Sequence, residues 1–258
     1  MSPQEMETQI MSELDLNAFS VSTQTYPRKM DYQVLCALAG IAQSAYKFSF
    51  DLRLLQSPVF GEMAEPFGKQ QVGSSAMPFK RNPITSESVC SLARYVAGLP
   101  RAAWDNAALS ALERTLDDSA NRRSTLPESF LAVDDILGRL RRVIDGLRIG
   151  SEAIERNLAL FGPFAATEPL LMALVKAGAN RQEMHERIRE CSMMAWAATQ
   201  RGEANPLVDL LASDQGIIEH LAPGRVREEI AGGAGVGDAP ERARALAKAI
   251  RGRLDNAS

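Results

Sequence analysis

Histidine is scarce in this chain. Of 258 residues only His185 and His220 are histidines, and neither lies in a motif. Proton transfer near neutral pH most often recruits that side chain, so a self-contained histidine acid–base site has little to draw on. Cysteine is nearly as rare. Cys36, Cys90 and Cys191 are isolated and odd in number, with no C-x-x-C and no Cys/His cluster. That argues against a disulfide framework or a structural zinc site and for three reduced thiols packed as small hydrophobes. Positive charge is not in excess: 29 Lys plus Arg stand against 32 Asp plus Glu, a net charge of -3. This is the wrong balance for a nucleic-acid surface. No apolar run reaches the roughly 18 residues that span a bilayer, and the opening MSPQEMETQIMSEL has no signal-peptide core. A soluble, cytoplasmic protein is expected, with neither nucleic acid nor membrane as partner.

What is present is an ordinary globular balance, 45% hydrophobic and 24% charged, in a length that allows a large domain with a smaller one. Nearly every segment has helical periodicity. From Asp31 to Leu55, Val34, Leu35, Leu38, Ile41, Ala42, Ala45, Phe48, Leu52 and Leu55 recur at steps of three and four, which places them on one helical face. A second helix is predicted from about Pro83, with Thr85 or Ser86 as alternative caps and Val89, Leu92, Ala93 and Val96 facing inward. Thr125-Leu-Pro-Glu128 has the form of a capping box with Pro127 in the first turn. It predicts a third helix with Phe130, Val133, Ile136, Leu137, Leu140, Val143, Ile144 and Leu147 on its buried stripe.

At Phe161-Gly162-Pro163 the long pattern stops. Shorter helices follow, Thr167 to Ala177 ending at Gly178, then Asn180 to about Gln200 with an Asn180…Glu183 capping pair. Gly232 to Gly235 reads as a loop. The expected fold class is all-α: a long-helix bundle over residues 1–162, then a smaller helical domain over 163–258. No internal repeat and no strand-rich region is evident.

Residues 57–82 do not fit a helix, because Pro58, Gly61, Pro66, Gly68, Gly73 and Pro78 interrupt them. A loop of that length inside a helical protein is either functional or disordered. It ends in Gly73-Ser74-Ser75-Ala76-Met77-Pro78-Phe79-Lys80-Arg81-Asn82-Pro83. Two hydroxyls, a cation and an amide ahead of a helix N-terminus suit an anion; a plain polar surface loop is the alternative from physics alone. Glu113-Arg114 through Arg123 offers guanidiniums and a hydroxyl that can fork around a phosphate. Arg114, Ser119 and Arg123 converge only if Asp117-Asp118-Ser119 turns the chain, and otherwise this is a solvated, mixed-charge turn. Ser22-Thr23-Gln24-Thr25 alone is a weak polar turn before a helix.

The 73–83 stretch resembles the signature loop of the fumarase/aspartase superfamily, Gly-Ser-Ser-x-Met-Pro-x-Lys-x-Asn-Pro, at every fixed position. The Glu113–Arg123 segment resembles the nucleotide-phosphate segment of the adenylosuccinate lyase family. Gln24 matches a Gln presented to substrate in that family, and Thr167–Arg189 resembles its third domain. The likeness extends from about Phe19 to the final helix.

The resemblance implies a lyase of purine nucleotide biosynthesis that releases fumarate from adenylosuccinate, giving AMP, and from SAICAR, giving AICAR. It assigns the base to Ser74, with Ser75 as the neighbouring alternative. Lys80 and Asn82 are assigned to the succinyl carboxylate and Met77 to the loop lining. Arg114, Ser119 and Arg123 would hold the phosphate, and Gln24 the substrate's polar groups. Ser88 stands near a position that in some members contacts the nucleotide. No metal or organic cofactor is implied, and the complete enzyme is expected to be a homo-oligomer, a tetramer with sites shared among subunits.

The family's general acid is a histidine from a region preceding anything matched here. The chain is therefore expected to be a C-terminal portion lacking that region and inactive alone. Two other readings stay open at this point. One is a different superfamily lyase, such as argininosuccinate lyase or fumarase, whose substrates carry no phosphate for the two arginines. The other is a non-catalytic helical scaffold or assembly fragment.

Overall fold

The computed structural model describes residues 1–68, 80–231 and 237–255. Ser74, Ser75 and Met77 therefore lie outside the described residues, as does the predicted loop at Gly232–Gly235. Two compact units divide the chain, Met1–Gly150 and Ser151–Ser258.

The first unit begins with α1 (Pro3–Glu13), capped by Ser2 in a complete capping box with Glu5. Three long helices follow: α2 (Lys29–Leu55), α3 (Ile84–Ala108) and α4 (Asp118–Asp145). On α2 the buried positions are Asp31, Leu35, Leu38, Ala42, Ala45, Ser49 and Leu52, an unbroken alternation of four- and three-residue steps. Val89, Ala93 and Val96 on α3 and Ala132, Val133 and Ile136 on α4 complete the same core. Such spacing is that of helices packed side by side at about 20° with interlocking side chains. The many alanines and Ser49 let the backbones approach closely.

Between α2 and α3, β1 (Met63–Ala64) pairs antiparallel with β2 (Arg148–Ile149), which follows α4. The approach is tight: a Cβ on Gly150 would lie 2.3 Å from the Gly61 carbonyl oxygen. Gly61 itself has φ +66, a conformation glycine adopts freely.

Two helices start elsewhere than the local sequence predicts. α4 does not open at the Thr125–Glu128 box; it begins at Asp118 and carries Pro127 inside. An interior proline costs an isolated helix about 3 kcal/mol. Here long-range ion pairs anchor the turns ahead of it, Arg28 to Asp118 at 2.7 Å and Arg122 to Asp31 at 2.5 Å. On α3 neither Thr85 nor Ser86 is the cap. Pro83 occupies the cap position without a side-chain hydrogen bond, and Glu65 supplies the acceptors.

The second unit contains α5 (Ser151–Ala165), α6 (Thr167–Lys176), α7 (Arg181–Gln200), α8 (Leu207–Ser213), α9 (Gln215–Ile218), α10 (Pro223–Ala231) and α11 (Ala239–Asp255). Its core gathers Leu170, Leu174, Met184, Leu207, Leu211, Ile217 and Val226. Asn180 caps α7 as expected, accepting from the Gln182 and Glu183 N–H groups, and Gly178 ends α6 with φ +94. The periodicity break at Phe161-Gly162-Pro163 is not a break in the backbone. α5 runs through it with Pro163 in its last turn, and the division into compact units falls between Gly150 and Ser151. No single helix among the described residues is long and apolar enough to cross a membrane.

Candidate functional site

Lys80 and Asn82 line a cavity of about 570 Å³ where α2 ends, β1 lies and α3 begins. Arg53, Arg81 and Arg148 share its wall with Glu65 and Glu87. Several of these groups are already committed. Arg81 stacks its guanidinium 5.0 Å from the Phe67 ring centre, and Arg148 donates to the Phe67 carbonyl at 3.1 Å. Glu65 is 3% exposed and accepts from the Thr85 and Ser86 N–H groups and the Ser86 hydroxyl at 3.0–3.1 Å. The Lys80 ammonium and the Asn82 side-chain amide have no hydrogen-bond or ion-pair partner among the described residues. With the Glu65 charge turned toward the N-terminus of α3, the cavity presents unfilled cationic and amide donors, a setting for a carboxylate.

A second group of candidates lies at the turn before α4. Leu112 takes φ +47 and reverses the chain, so Arg114 precedes the N-terminus of α4 while Ser119 lies in its first turn. Arg123 follows Ser119 by four residues and shares its face. Arg114 is half-buried, and its Nε is shielded from solvent without an acceptor. Arg123 is exposed and unpaired among the described residues. Asp117 stands at the N-cap of α4, and Asp118 and Ser119 open the helix.

Gln24 is exposed in the segment ahead of α2. A cavity of about 340 Å³ sets its neighbours Ser22, Thr23 and Thr25 against Ser110, Leu112 and Glu113, so the Gln24 segment and the approach to Arg114 are adjacent. Ser88 is half-buried with its hydroxyl given to the Ile84 carbonyl at 3.0 Å, and it does not line the Lys80 cavity. The exposed His185 and His220 line neither cavity.

Several residues that hold these positions had no local signal. Arg122, next to Arg123, is structural. Its Nε donates to Asp31 at 2.5 Å and its Nη2 to the Tyr26 hydroxyl at 2.5 Å, while Tyr26 donates to the other Asp31 oxygen. Burial works against the Arg122 charge, but its hydrogen bond to Asp31 and the surrounding negative charge outweigh that, and its pKa lies above the ordinary value. Asp118 is buried beside Arg28 and Arg122, at 2.7 and 3.8 Å, yet neither of its oxygens receives an aligned hydrogen bond. Charge rather than hydrogen bonding holds it. Glu65 could have been sought from one clue: a helix beginning after Pro83 needs acceptors for its first N–H groups, and Pro83 has none to offer.

Two family models match the chain, "Lyase" over residues 2–98 and "Adenylosuccinate lyase C-terminus" over 163–234. The chain is 44% identical to the adenylosuccinate lyase of Saccharomyces cerevisiae over 198 residues, 76% of this chain and 41% of that protein. It is 45% identical to that of Schistosoma mansoni over 199 residues, with the same coverage. With the Archaeoglobus fulgidus adenylosuccinate lyase identity is 35% over 224 residues, 87% of this chain and 49% of that protein. The chain thus spans less than half the length of these relatives.

Among solved structures, a fumarate lyase from Mesorhizobium sp. BNC1 aligns with TM-score 0.75 and 20% identity, over 91% of this chain and 50% of that one. The 3-carboxy-cis,cis-muconate lactonizing enzyme from Pseudomonas putida aligns with TM-score 0.76 and 21% identity, over 95% and 52%. These two likenesses establish the fold. With sequence matches reaching into both units, the chain belongs to the adenylosuccinate lyase family.

Proposed function

We propose that this chain contributes the signature-loop and phosphate-holding parts of an active site that eliminates fumarate from adenylosuccinate, giving AMP, and from SAICAR, giving AICAR. The observation that carries the reading is the complete signature motif, whose Lys80 and Asn82 present unfilled donors to a cation-lined cavity. In the elimination a base takes the proton from the carbon next to a succinyl carboxylate. The electron pair left there is shared with that carboxylate, the C–N bond breaks, and the leaving nitrogen is protonated as fumarate departs. Lys80 and Asn82 bind the carboxylate and stabilise the charge that accumulates on it. Ser74, with Ser75 as alternative, is the base and Met77 lines the loop. Serine is a poor base unless the site is electropositive and dry. Arg114, Ser119 and Arg123 hold the phosphate, and Gln24 contacts polar groups of the substrate.

Among the described residues no histidine lines either cavity. We assign the acid that protonates nitrogen to a histidine outside these residues, so the chain alone is expected to be inactive. The Lys80 and Arg114 groups line separate parts of one unit, which fits sites assembled from several copies of a cytoplasmic tetramer. Absorbance-monitored cleavage of adenylosuccinate tests the reading, first with this chain alone and then mixed with the N-terminal part of a related lyase. Silence followed by activity is the expected result. Cleavage of argininosuccinate but not adenylosuccinate by the mixture would reassign the substrate. A stable assembly that binds neither AMP nor fumarate would favour a scaffold.

A further inference from the structure

We infer that Gln56 and Glu65 are positioning residues for the carboxylate-binding arm Lys80–Asn82, an inference that rests on the lyase reading above. Gln56 is the residue at which α2 ends. Its side-chain oxygen accepts the Glu65 N–H at 2.9 Å, and its side-chain nitrogen donates to the Arg81 carbonyl at 3.1 Å. Glu65 in turn accepts from Thr85 through one carboxylate oxygen, and from the N–H and hydroxyl of Ser86 through the other.

The two side chains thus grip the backbone on both sides of Asn82, at Arg81 and at Thr85–Ser86. Both gripping points are tied to the rigid end of α2. Thr85 and Ser86 stand in the first turn of α3, where N–H groups otherwise lack acceptors. A carboxylate from outside the helix serves them and complements the helix dipole. Every atom of this clamp that could meet substrate is already used by protein partners, whereas Lys80 and Asn82 remain open to the cavity. The division of labour follows: Lys80 and Asn82 touch the substrate, and Gln56 and Glu65 fix where those two stand. Misplacement of about 1 Å in such groups is enough to cost a large part of the rate.

The test has two arms. In the chain as it stands, amide hydrogen exchange reads the clamp directly. Glu65→Ala is expected to speed exchange at Thr85 and Ser86 by about tenfold or more, with Ala93 and Val96 in the middle of α3 unchanged. Unaltered exchange at Thr85 and Ser86 would overturn the inference whatever the activity.

In the mixture with the N-terminal part of a related lyase, Glu65→Ala and Gln56→Ala are each expected to lower kcat about 10- to 100-fold, with KM held within about twofold. Glu65→Gln, which keeps one acceptor, should fall between. Gln56→Ala leaves the Glu65 carboxylate in place, so its effect does not depend on the α3 cap surviving. A kcat equal to wild type in both alanine variants, even with loosened amides or a lowered Tm, would reduce the clamp to a stability element and overturn the positioning role. Failure of the unsubstituted mixture to cleave adenylosuccinate would remove the lyase reading and this role with it, leaving the exchange result as evidence of contact alone.

Discussion

At Tyr26 a phenol hydroxyl is held between the Asp31 carboxylate and the Arg122 guanidinium, each at 2.5 Å. Burial, followed by the hydrogen bond and negative charge of Asp31, raises its pKa above the usual tyrosine value. An unfolded tyrosine loses its proton near pH 10, so above that pH the folded chain binds more protons than the unfolded one and stability falls. The stabilisation is complete below pH 10 and is lost as pH rises through the folded value. The difference in unfolding free energy between wild type and Tyr26→Phe should therefore be flat up to about pH 9 and shrink beyond about pH 10. Denaturant midpoints from pH 8 to 11 measure it, and two parallel curves would contradict it. Partial exposure of the ring keeps the effect modest.

The neighbouring arginines separate the same way. Arg122→Ala leaves Asp31 and Asp118 buried with one fewer cation and should cost about 3–5 kcal/mol. Arg123→Ala should cost under about 0.5 kcal/mol while weakening AMP binding. Comparable unfolding midpoints for the two variants would refute this assignment. Lys80 and Asn82 were legible in the sequence because the signature fixes both type and spacing. Arg122 was not, since two adjacent arginines look alike until the chain brings Asp31 to one of them.

Among the elements, the bundle helices were legible where a three-and-four spacing runs unbroken, as along α2. Their starts were less so, because a start is decided by whatever satisfies the first N–H groups. On α7 that acceptor is Asn180, adjacent in sequence and correctly read. On α3 it is Glu65, twenty residues from Thr85, and no local pattern reports it. On α4 the Thr125–Glu128 box was overruled by Arg28 and Arg122, whose ion pairs hold two further turns ahead of Pro127. Pro127 is exposed and leaves the Arg123 carbonyl without its helical N–H. Pro127→Ala restores that donor and should raise stability by about 1–3 kcal/mol, read as a later denaturant midpoint. An unchanged or earlier midpoint would mean that the packing of α4 on α2 and α3 favours proline at this position.

For the whole molecule, apolar residues left outside the cores carry the remaining information. On α4 the buried Ser129, Ile136 and Val143 are each followed by a large apolar residue in the open: Phe130, Leu137 and Ile144, 54%, 46% and 51% exposed. The interval of seven is that of a helix prepared to pack on two sides. α2 carries Ile41, Phe48 and Leu55 at the same interval, exposed or half-buried beside its buried stripe. Periodicity alone assigns these residues to the core, because it reports an apolar face and not what covers it. A second copy of the chain is the occupant in the assembly proposed above, since the same seven-residue repeat on identical helices is self-complementary. Light scattering of the chain should then give a mass above one protomer, and Leu137→Glu with Ile144→Glu should return it to one. Both substituted positions face away from the core of their own unit, so the doubly substituted chain should keep its helical circular dichroism. A monomer before substitution, or an assembly indifferent to two buried charges on α4, would show that this stripe is covered by something other than another copy.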